Sequence, residues 1–109
     1  AMSALSIMAL ASTGTTVSDP TPRGTAMRRA IEFVLKQENV TEQGYYGQKD
    51  DSRMYGHGII TLMLTEMIGM GIDQKQDELI AERCRTGIDL ILRSQQVPKD
   101  PRHRGGWRY

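Results

Sequence analysis

One candidate for chemistry in this chain is a pair of adjacent carboxylates, Asp50 and Asp51. A carboxylate pair can provide a general acid when burial and a neighbouring charge raise the pKa of one member. This pair, however, lies in a polar loop between Lys49 and Arg53. We therefore expect Asp50 and Asp51 to be solvated charges or helix caps rather than a strong acid.

His57 is the second candidate, since an imidazole can act as an acid, a base or a ligand near neutral pH. It lies between Gly56 and Gly58, at the start of an apolar segment. One interpretation gives His57 a role in ligand contact or catalysis. The other makes it a residue at the start of a helix, packed against Tyr55 and bonded to the backbone.

Cys84 is the only cysteine, which excludes an intrachain disulfide and a multi-cysteine metal cage. It falls on the apolar stripe of a predicted helix, where a small buried side chain is its expected role. The triplet at residues 56–58, Gly-His-Gly, is too short for a dinucleotide-binding loop, which also needs a preceding strand. We assign no catalytic, cofactor-binding or metal-binding residue and expect no cofactor.

The composition limits the classes of partner. The 109 residues carry a formal net charge of +1. A broad basic surface that would neutralise several phosphates is therefore not predicted, and we do not expect nucleic acid as a partner. No apolar run reaches the roughly 18 to 20 residues that a membrane span requires.

Four predicted helices must position these residues. Residues 4–11 and 59–70 are apolar on nearly every face, which predicts helices with neighbours on both sides. Residues 26–37 and 73–95 carry apolar side chains three or four apart, opposite charged residues, which predicts amphipathic helices. The charged residues of the last helix that are predicted to face away from its apolar stripe are Glu82, Arg83, Arg85, Asp89 and Arg93.

Loop chemistry marks the starts of the two amphipathic helices. Thr21 precedes Pro22, a pairing typical of a cap followed by the first helical turn. Asp73 is followed three residues later by Gln76, which is the spacing of a capping box. Each of these segments is therefore expected to begin close to its capping residue.

The two halves of the chain match each other after a shift of 57 residues. Each half contains an apolar helix, an amphipathic helix and a loop with a glycine–aromatic pair. The matched pairs include Leu5 with Leu62, Gly14 with Gly71, Ile31 with Ile88 and Leu35 with Leu92. Such a period predicts a two-layer array in which inner helices have neighbours on both sides and outer helices cover them.

We assign residues 1–53 to the first repeat and residues 54–109 to the second, as one fragment of a repeat domain excised from a longer protein. Repeat arrays generally need three or more units to bury a continuous core. Both ends are therefore expected to expose apolar helix faces that drive self-association or contact the remaining repeats of the longer protein. A free-standing four-helix protein is the alternative, and it predicts a monomer.

The outer helices and the loops after them carry a shared motif. Its two copies are residues 30–35 with Gln37, Gly44 and Tyr45, and residues 87–92 with Gln95, Gly106 and Trp107. Both copies resemble repeats of the squalene cyclase and prenyltransferase superfamily, whose consensus is a small residue, an aromatic residue or Leu, a Leu, a Gln and then Gly-Trp. Residues 54–58, leading into residues 62–64, resemble the start of inner helices in bacterial prenyltransferase and squalene-oxidase repeat proteins.

The resemblance implies an all-α fold in which two helical hairpins form an arc of an α/α toroid, with the N-termini of the inner helices facing a central cavity. The residues that it places at the rim of that cavity are Tyr55, His57, Asp50 and Asp51. In the family the Gln and Trp of each motif join the end of an outer helix to a neighbouring helix end. In the first copy Gln37 is displaced by one place and Tyr45 replaces the Trp, which implies a weaker tie.

The sequence departs from the family's enzymes. Triterpene cyclases use an Asp-x-Asp-Asp acid, and residues 48–51, Gln-Lys-Asp-Asp, lack its first Asp. Protein prenyltransferases hold zinc with Asp, Cys and His, whereas Cys84 lies on an apolar stripe. We therefore expect a non-catalytic helical scaffold that binds a protein or an apolar ligand. The alternative is a part of a terpenoid cyclase or prenyltransferase whose catalytic residues lie outside this chain.

Overall fold

The computed structural model describes residues 1–107, which contain helices and no strand. The four α-helices are α1 (Met2–Ser12), α2 (Pro22–Leu35), α3 (Arg53–Glu66) and α4 (Gln74–Gln95). Two short 3-10 helices follow α2 and α4, at Gln37–Asn39 and Pro101–His103. The predicted all-α class is confirmed.

The helices form two hairpins, because α1 packs against α2 and α3 packs against α4. The hairpins meet through α1 and α3, which are also in contact. The apolar helices therefore lie inside and the amphipathic ones flank them. No helix in the described part of the chain is long and apolar enough to cross a membrane.

Both predicted caps are formed. The Thr21 hydroxyl accepts a hydrogen bond from the Gly24 amide at 3.1 Å, and Pro22 begins α2. The Asp73 carboxylate accepts from the Gln76 amide at 2.8 Å. Each cap satisfies an amide that the first turn of a helix leaves without an intrahelical partner.

The inner helix α3 lies earlier in the chain than the apolar segment predicts. It begins at Arg53 and ends at Glu66, so the last residues of the segment form a turn. Gly14 and Gly69 adopt φ values of +84° and +78° after the two inner helices, whereas Gly71 does not have a positive φ. The glycine with positive φ after α3 is therefore Gly69, two residues before Gly71, which the 57-residue shift matches to Gly14.

One hydrophobic core includes residues from both hairpins. Its most deeply buried large side chains include Ile7, Met27, Ile31, Met63, Leu64, Met67 and Ile80. Met63 and Met67 are part of this core, which is the commoner role for methionine at helical spacing. Because α1, α2, α3 and α4 all contribute, neither hairpin has a complete core of its own.

Matched residues of the two outer helices differ in burial. Ile31 and Leu35 of α2 are 1% and 7% exposed. Their counterparts in α4, Ile88 and Leu92, are 40% and 56% exposed. The side of α2 that faces the shared core therefore has a counterpart on α4 that is open to solvent.

Candidate functional site

His57 lies in the second turn of α3 and has no exposed surface. Its Nδ1 accepts a hydrogen bond from the Tyr46 backbone amide at 3.2 Å, and its Nε2 lies 3.0 Å from the Gly87 carbonyl oxygen. A backbone amide can only donate and a carbonyl can only accept, so the proton must be on Nε2. The network thus fixes one neutral tautomer and joins three segments of the chain.

The electrostatics of the site oppose a charged His57. Burial lowers its pKa, while the hydrogen bond to the Gly87 carbonyl acts in the opposite direction and is the smaller effect. A second proton on the ring would also point from Nδ1 toward the Tyr46 amide, placing two donors together. His57 in this arrangement connects the backbone at Tyr46 with the backbone at Gly87.

The loop after α2 reaches His57 through its two tyrosines. The Tyr45 ring centroid lies 5.5 Å from that of His57, and the Tyr46 ring stacks at 6.4 Å. Gly44 allows this loop to lie close to α4. Its φ is +85°, and an added Cβ would lie 2.7 Å from the Thr86 hydroxyl of α4. A side chain at this position would push the loop away from α4.

A charged residue completes the cluster. Arg83 of α4 is 7% exposed and donates to the Tyr46 hydroxyl at 2.8 Å and to the Gln37 side-chain carbonyl at 3.1 Å. Burial raises the pKa of Tyr46, and the nearby Arg83 cation opposes that rise. Because Gln37 follows α2 and Arg83 lies in α4, these bonds join the outer layers of the two hairpins.

The prediction that Arg83 faces away from the apolar stripe is wrong. Arg83 falls three residues after Ile80 and four before Gly87, both of which are buried. Its long aliphatic stem can lie in a core while its guanidinium finds acceptors. The 80–83–87 spacing was the signal for its burial, but the rule that charged residues face solvent conceals it.

The second motif copy folds back on its own helix. The Gln95 amide donates to the Gly105 carbonyl at 2.6 Å, and the Trp107 indole donates to the Ile91 carbonyl at 2.8 Å. Gly106 lies between these contacts, and the Trp107 ring is half exposed. The first copy therefore connects two hairpins, whereas the second fastens a loop to the end of α4.

Asp50 and Asp51 lie away from this cluster. The Asp50 carboxylate accepts from the Ser52 hydroxyl and from the Ser52 amide, bonds that lower its pKa. Asp51 is well exposed and pairs with Arg53 at 3.3 Å, and both residues have positive φ values. Each carboxylate thus supports the irregular entry to α3.

Tyr55 and Cys84 differ in their exposure to solvent. Tyr55 is 67% exposed near the start of α3. Cys84 is buried on α4, and that burial raises the pKa of its thiol. Within residues 1–107, no three His, Cys, Asp or Glu side chains are grouped so that they could hold a metal ion.

An open groove of about 1000 Å³ lies between the start of α3 and the loop after α4. Its apolar lining includes Met54, Tyr55, Val97 and Trp107, and its charged lining consists of Lys99, Asp100, Arg102 and Arg104. The ammonium group of Lys99 donates to the Ser94, Gln95 and Val97 carbonyl oxygens, at 3.1, 3.2 and 2.9 Å. Lys99 thus caps the C-terminus of α4, where a cation is favoured.

Comparison of the chain with models of known families, with curated proteins and with solved structures finds no match. The geometry of the described residues and the sequence motif are therefore the grounds for a functional conclusion.

Proposed function

We propose that this chain is a non-catalytic unit of a helical repeat scaffold of the squalene cyclase and prenyltransferase type, in which hairpins stack side by side to present a surface for protein binding. The two hairpins would then form an arc of an α/α toroid. The observation that carries the proposal is the use of His57, the residue best suited to chemistry, as a connector between backbone segments.

The bonds of His57 support a structural role. Both ring nitrogens are engaged with backbone groups of Tyr46 and Gly87, and the ring has no contact with solvent. A general acid or base must reach a reacting group within hydrogen-bonding distance. A ligand would have to displace one of these two bonds and open the core before it reached the ring.

The motif residues also support the scaffold. Gln37 accepts from Arg83 across the hairpin boundary, and Trp107 donates to a carbonyl of α4. These contacts set the position of one helix end relative to the next structural segment. The polar residues of the motif therefore act on the spacing of helices, which is the property that a repeat scaffold must control.

The rival function, a part of a terpenoid cyclase or prenyltransferase, has one favourable observation. The groove beside Tyr55 is lined by apolar side chains, by the basic residues Lys99, Arg102 and Arg104, and by one carboxylate, Asp100. A ligand with a hydrocarbon chain and an anionic head would match that combination. Trp107, the only tryptophan, lines the same groove and offers a direct optical signal.

Titration of the chain with farnesyl diphosphate and with micellar squalene, followed by Trp107 fluorescence, separates the two functions. The scaffold predicts no saturable change. The rival predicts a saturable change that Tyr55→Ala removes and that Ile68→Ala, at an exposed residue in the α3–α4 turn, leaves intact. Saturable binding with this response to the two variants would contradict the scaffold function and support the terpenoid cyclase or prenyltransferase function.

A further inference from the structure

The outer side of α2 combines an exposed aromatic ring with positive charge. Phe33 is 49% exposed, although other sides of α2 are buried in the core. Arg29 lies four residues before Phe33 and Lys36 lies three residues after it, and these spacings place side chains on the same side of a helix. Arg29 and Lys36 are both exposed. We call Arg29, Phe33 and Lys36 the α2 basic face.

The cations of the α2 basic face are not neutralised by the chain itself. Within residues 1–107, neither Arg29 nor Lys36 forms an ion pair or a side-chain hydrogen bond. Elsewhere on the surface, Arg53, Arg93 and Arg102 each pair with a nearby aspartate. The positive charge beside Phe33 is therefore available to a partner.

The carboxylates closest in sequence leave the α2 basic face positive. Glu32 directly precedes Phe33 and so lies about 100° away from it around the helix axis. Glu38 lies 4.0 Å from the ammonium group of Lys49. Residues 22–36 contain one carboxylate and these cationic side chains: Arg23, Arg28, Arg29 and Lys36. A partner with negative charge would complement this balance.

We propose that the α2 basic face binds an acidic segment of a partner protein. An apolar side chain of that segment packs on Phe33, and carboxylates on either side of it pair with Arg29 and Lys36. These two cations are seven residues apart, which is about 10.5 Å along a helix, and an extended segment covers that distance in about three residues. The inference rests on the proposed scaffold function and names the surface and the chemistry of the protein that it binds.

The small apolar area of the α2 basic face favours a protein over a membrane. Helices that lie on membranes bury a wide apolar face in the lipid. The wide apolar side of α2 is already part of the core, and Phe33 is the large apolar side chain that α2 exposes. One aromatic ring between two cations matches a short peptide segment, in which complementary charges provide specificity.

Fluorescence anisotropy with a labelled acidic peptide tests the proposal. The probe is a peptide in which pairs of glutamates flank single leucines. In one control peptide glutamine replaces each glutamate, and in a second control peptide serine replaces each leucine. The variants are Arg29→Gln, Lys36→Gln and Phe33→Ala. Arg85→Gln is the matched control, because it removes the same charge from an exposed position on α4.

The wild-type chain should bind the probe saturably, and both control peptides should bind more weakly. Arg29→Gln and Lys36→Gln should each weaken binding by about two- to five-fold, which is the range for an exposed charge pair. Phe33→Ala should weaken it by about ten-fold or more, because it removes the central apolar contact. Arg85→Gln should bind as the wild type does. Added salt should weaken binding to the wild-type chain, since it screens exposed charges.

Three results would overturn the proposal, given normal helical circular dichroism for each form of the chain. They are a wild-type chain that does not bind the probe, a Phe33→Ala variant that binds it unchanged, and an Arg85→Gln variant that loses as much affinity as Arg29→Gln. Binding of phosphatidylserine vesicles or of a single-stranded oligonucleotide without binding of the probe would assign the face to that other partner.

Failure of the probe would leave the scaffold function standing, since that function is decided by the ligand titration. Saturable binding of farnesyl diphosphate or squalene that Tyr55→Ala removes would contradict the scaffold function whatever the peptide does.

Discussion

A single imidazole connects three parts of this chain that are distant in sequence. His57 accepts from Tyr46 and donates to Gly87, and it does so only as the neutral tautomer. Because its pKa is lowered in the folded chain, the unfolded chain binds the additional proton more readily. The charge state of His57 is therefore linked to folding.

Acidification should destabilise the fold through His57. The contribution is fully present above the unfolded pKa of about 6.5 and is lost as pH falls from there toward the lower folded pKa. Urea unfolding between about pH 7.5 and about pH 5.5 measures it, a range in which carboxylates titrate little. His57→Gln should flatten this dependence and reduce stability at the upper pH by about 1–3 kcal/mol. His103→Gln, at an exposed histidine, should retain the wild-type slope.

A comparison of substitutions at two glycines distinguishes the cost of backbone strain from the cost of steric contact. Gly14 and Gly44 have nearly equal positive φ values, but an added Cβ has open space at Gly14 and meets Thr86 at Gly44. Gly14→Ala should lose about 1–2 kcal/mol, the strain of the left-handed region alone. Gly44→Ala should lose clearly more in the same urea titration. Equal losses would show that the loop moves away from α4 without penalty.

At the scale of the elements, the hairpins are joined by a polar contact as well as an apolar core. Arg83 donates to Tyr46 and to Gln37, which lie between the hairpins in sequence and come together only when α4 is in place. A buried guanidinium that lost these acceptors would be left with unsatisfied donors. The packing of the two hairpins against each other should therefore depend strongly on the hydrogen bonds of Arg83.

A double-mutant cycle on Arg83→Met and Tyr46→Phe measures that dependence. The coupling free energy should be about 1–3 kcal/mol, since the bond involves a charged donor and is largely buried. Tyr45→Phe paired with Arg83→Met is the control, because the Arg83 bonds involve the Tyr46 hydroxyl. A coupling near zero for the Tyr46 cycle would mean that the core alone holds the hairpins together.

The sequence predicts the elements better than it predicts their contacts. The four helices and the caps at Thr21 and Asp73 follow from local patterns, and the structure contains them. The early start of α3 does not follow from a local pattern, because Arg53 has a positive φ that the sequence does not reveal. The partners of His57 are also hidden, since Gly87 is 30 residues away and becomes a neighbour only after the hairpins pack.

Part of the candidate site was visible in the sequence. The motif contains Gln37, Gly44 and Tyr45, His57 is a candidate by its residue type, and the structure brings all four together with Arg83. Asp50 and Asp51 lie outside the cluster, in the polar loop whose composition already favoured solvated charges. That α/α toroid geometry extends from these two hairpins remains a prediction of the motif resemblance.

For the whole molecule, the shared core makes the two hairpins one cooperative unit. The buried residues of α1, α2, α3 and α4 belong to a single cluster, so neither hairpin can open without exposing the other. Hydrogen exchange should accordingly give similar protection to core amides of both hairpins. The Tyr46 amide, although in a loop, should exchange as slowly as they do.

His57→Gln should release the Tyr46 amide selectively while α4 amides remain protected. If one hairpin exchanged much faster than the other in the wild-type chain, the shared core would not be cooperative. Mass spectrometry of peptides that cover the loop and α4 resolves these cases.

The cap that Lys99 forms on α4 has a consequence for proteolysis. Trypsin must take a basic side chain into its specificity pocket, and three carbonyl oxygens hold the Lys99 ammonium group. Arg102 and Arg104, a few residues later, are exposed. A brief digest should therefore cut after these arginines and spare Lys99. The released C-terminal peptide would carry the only tryptophan, so the helices would lose their native fluorophore.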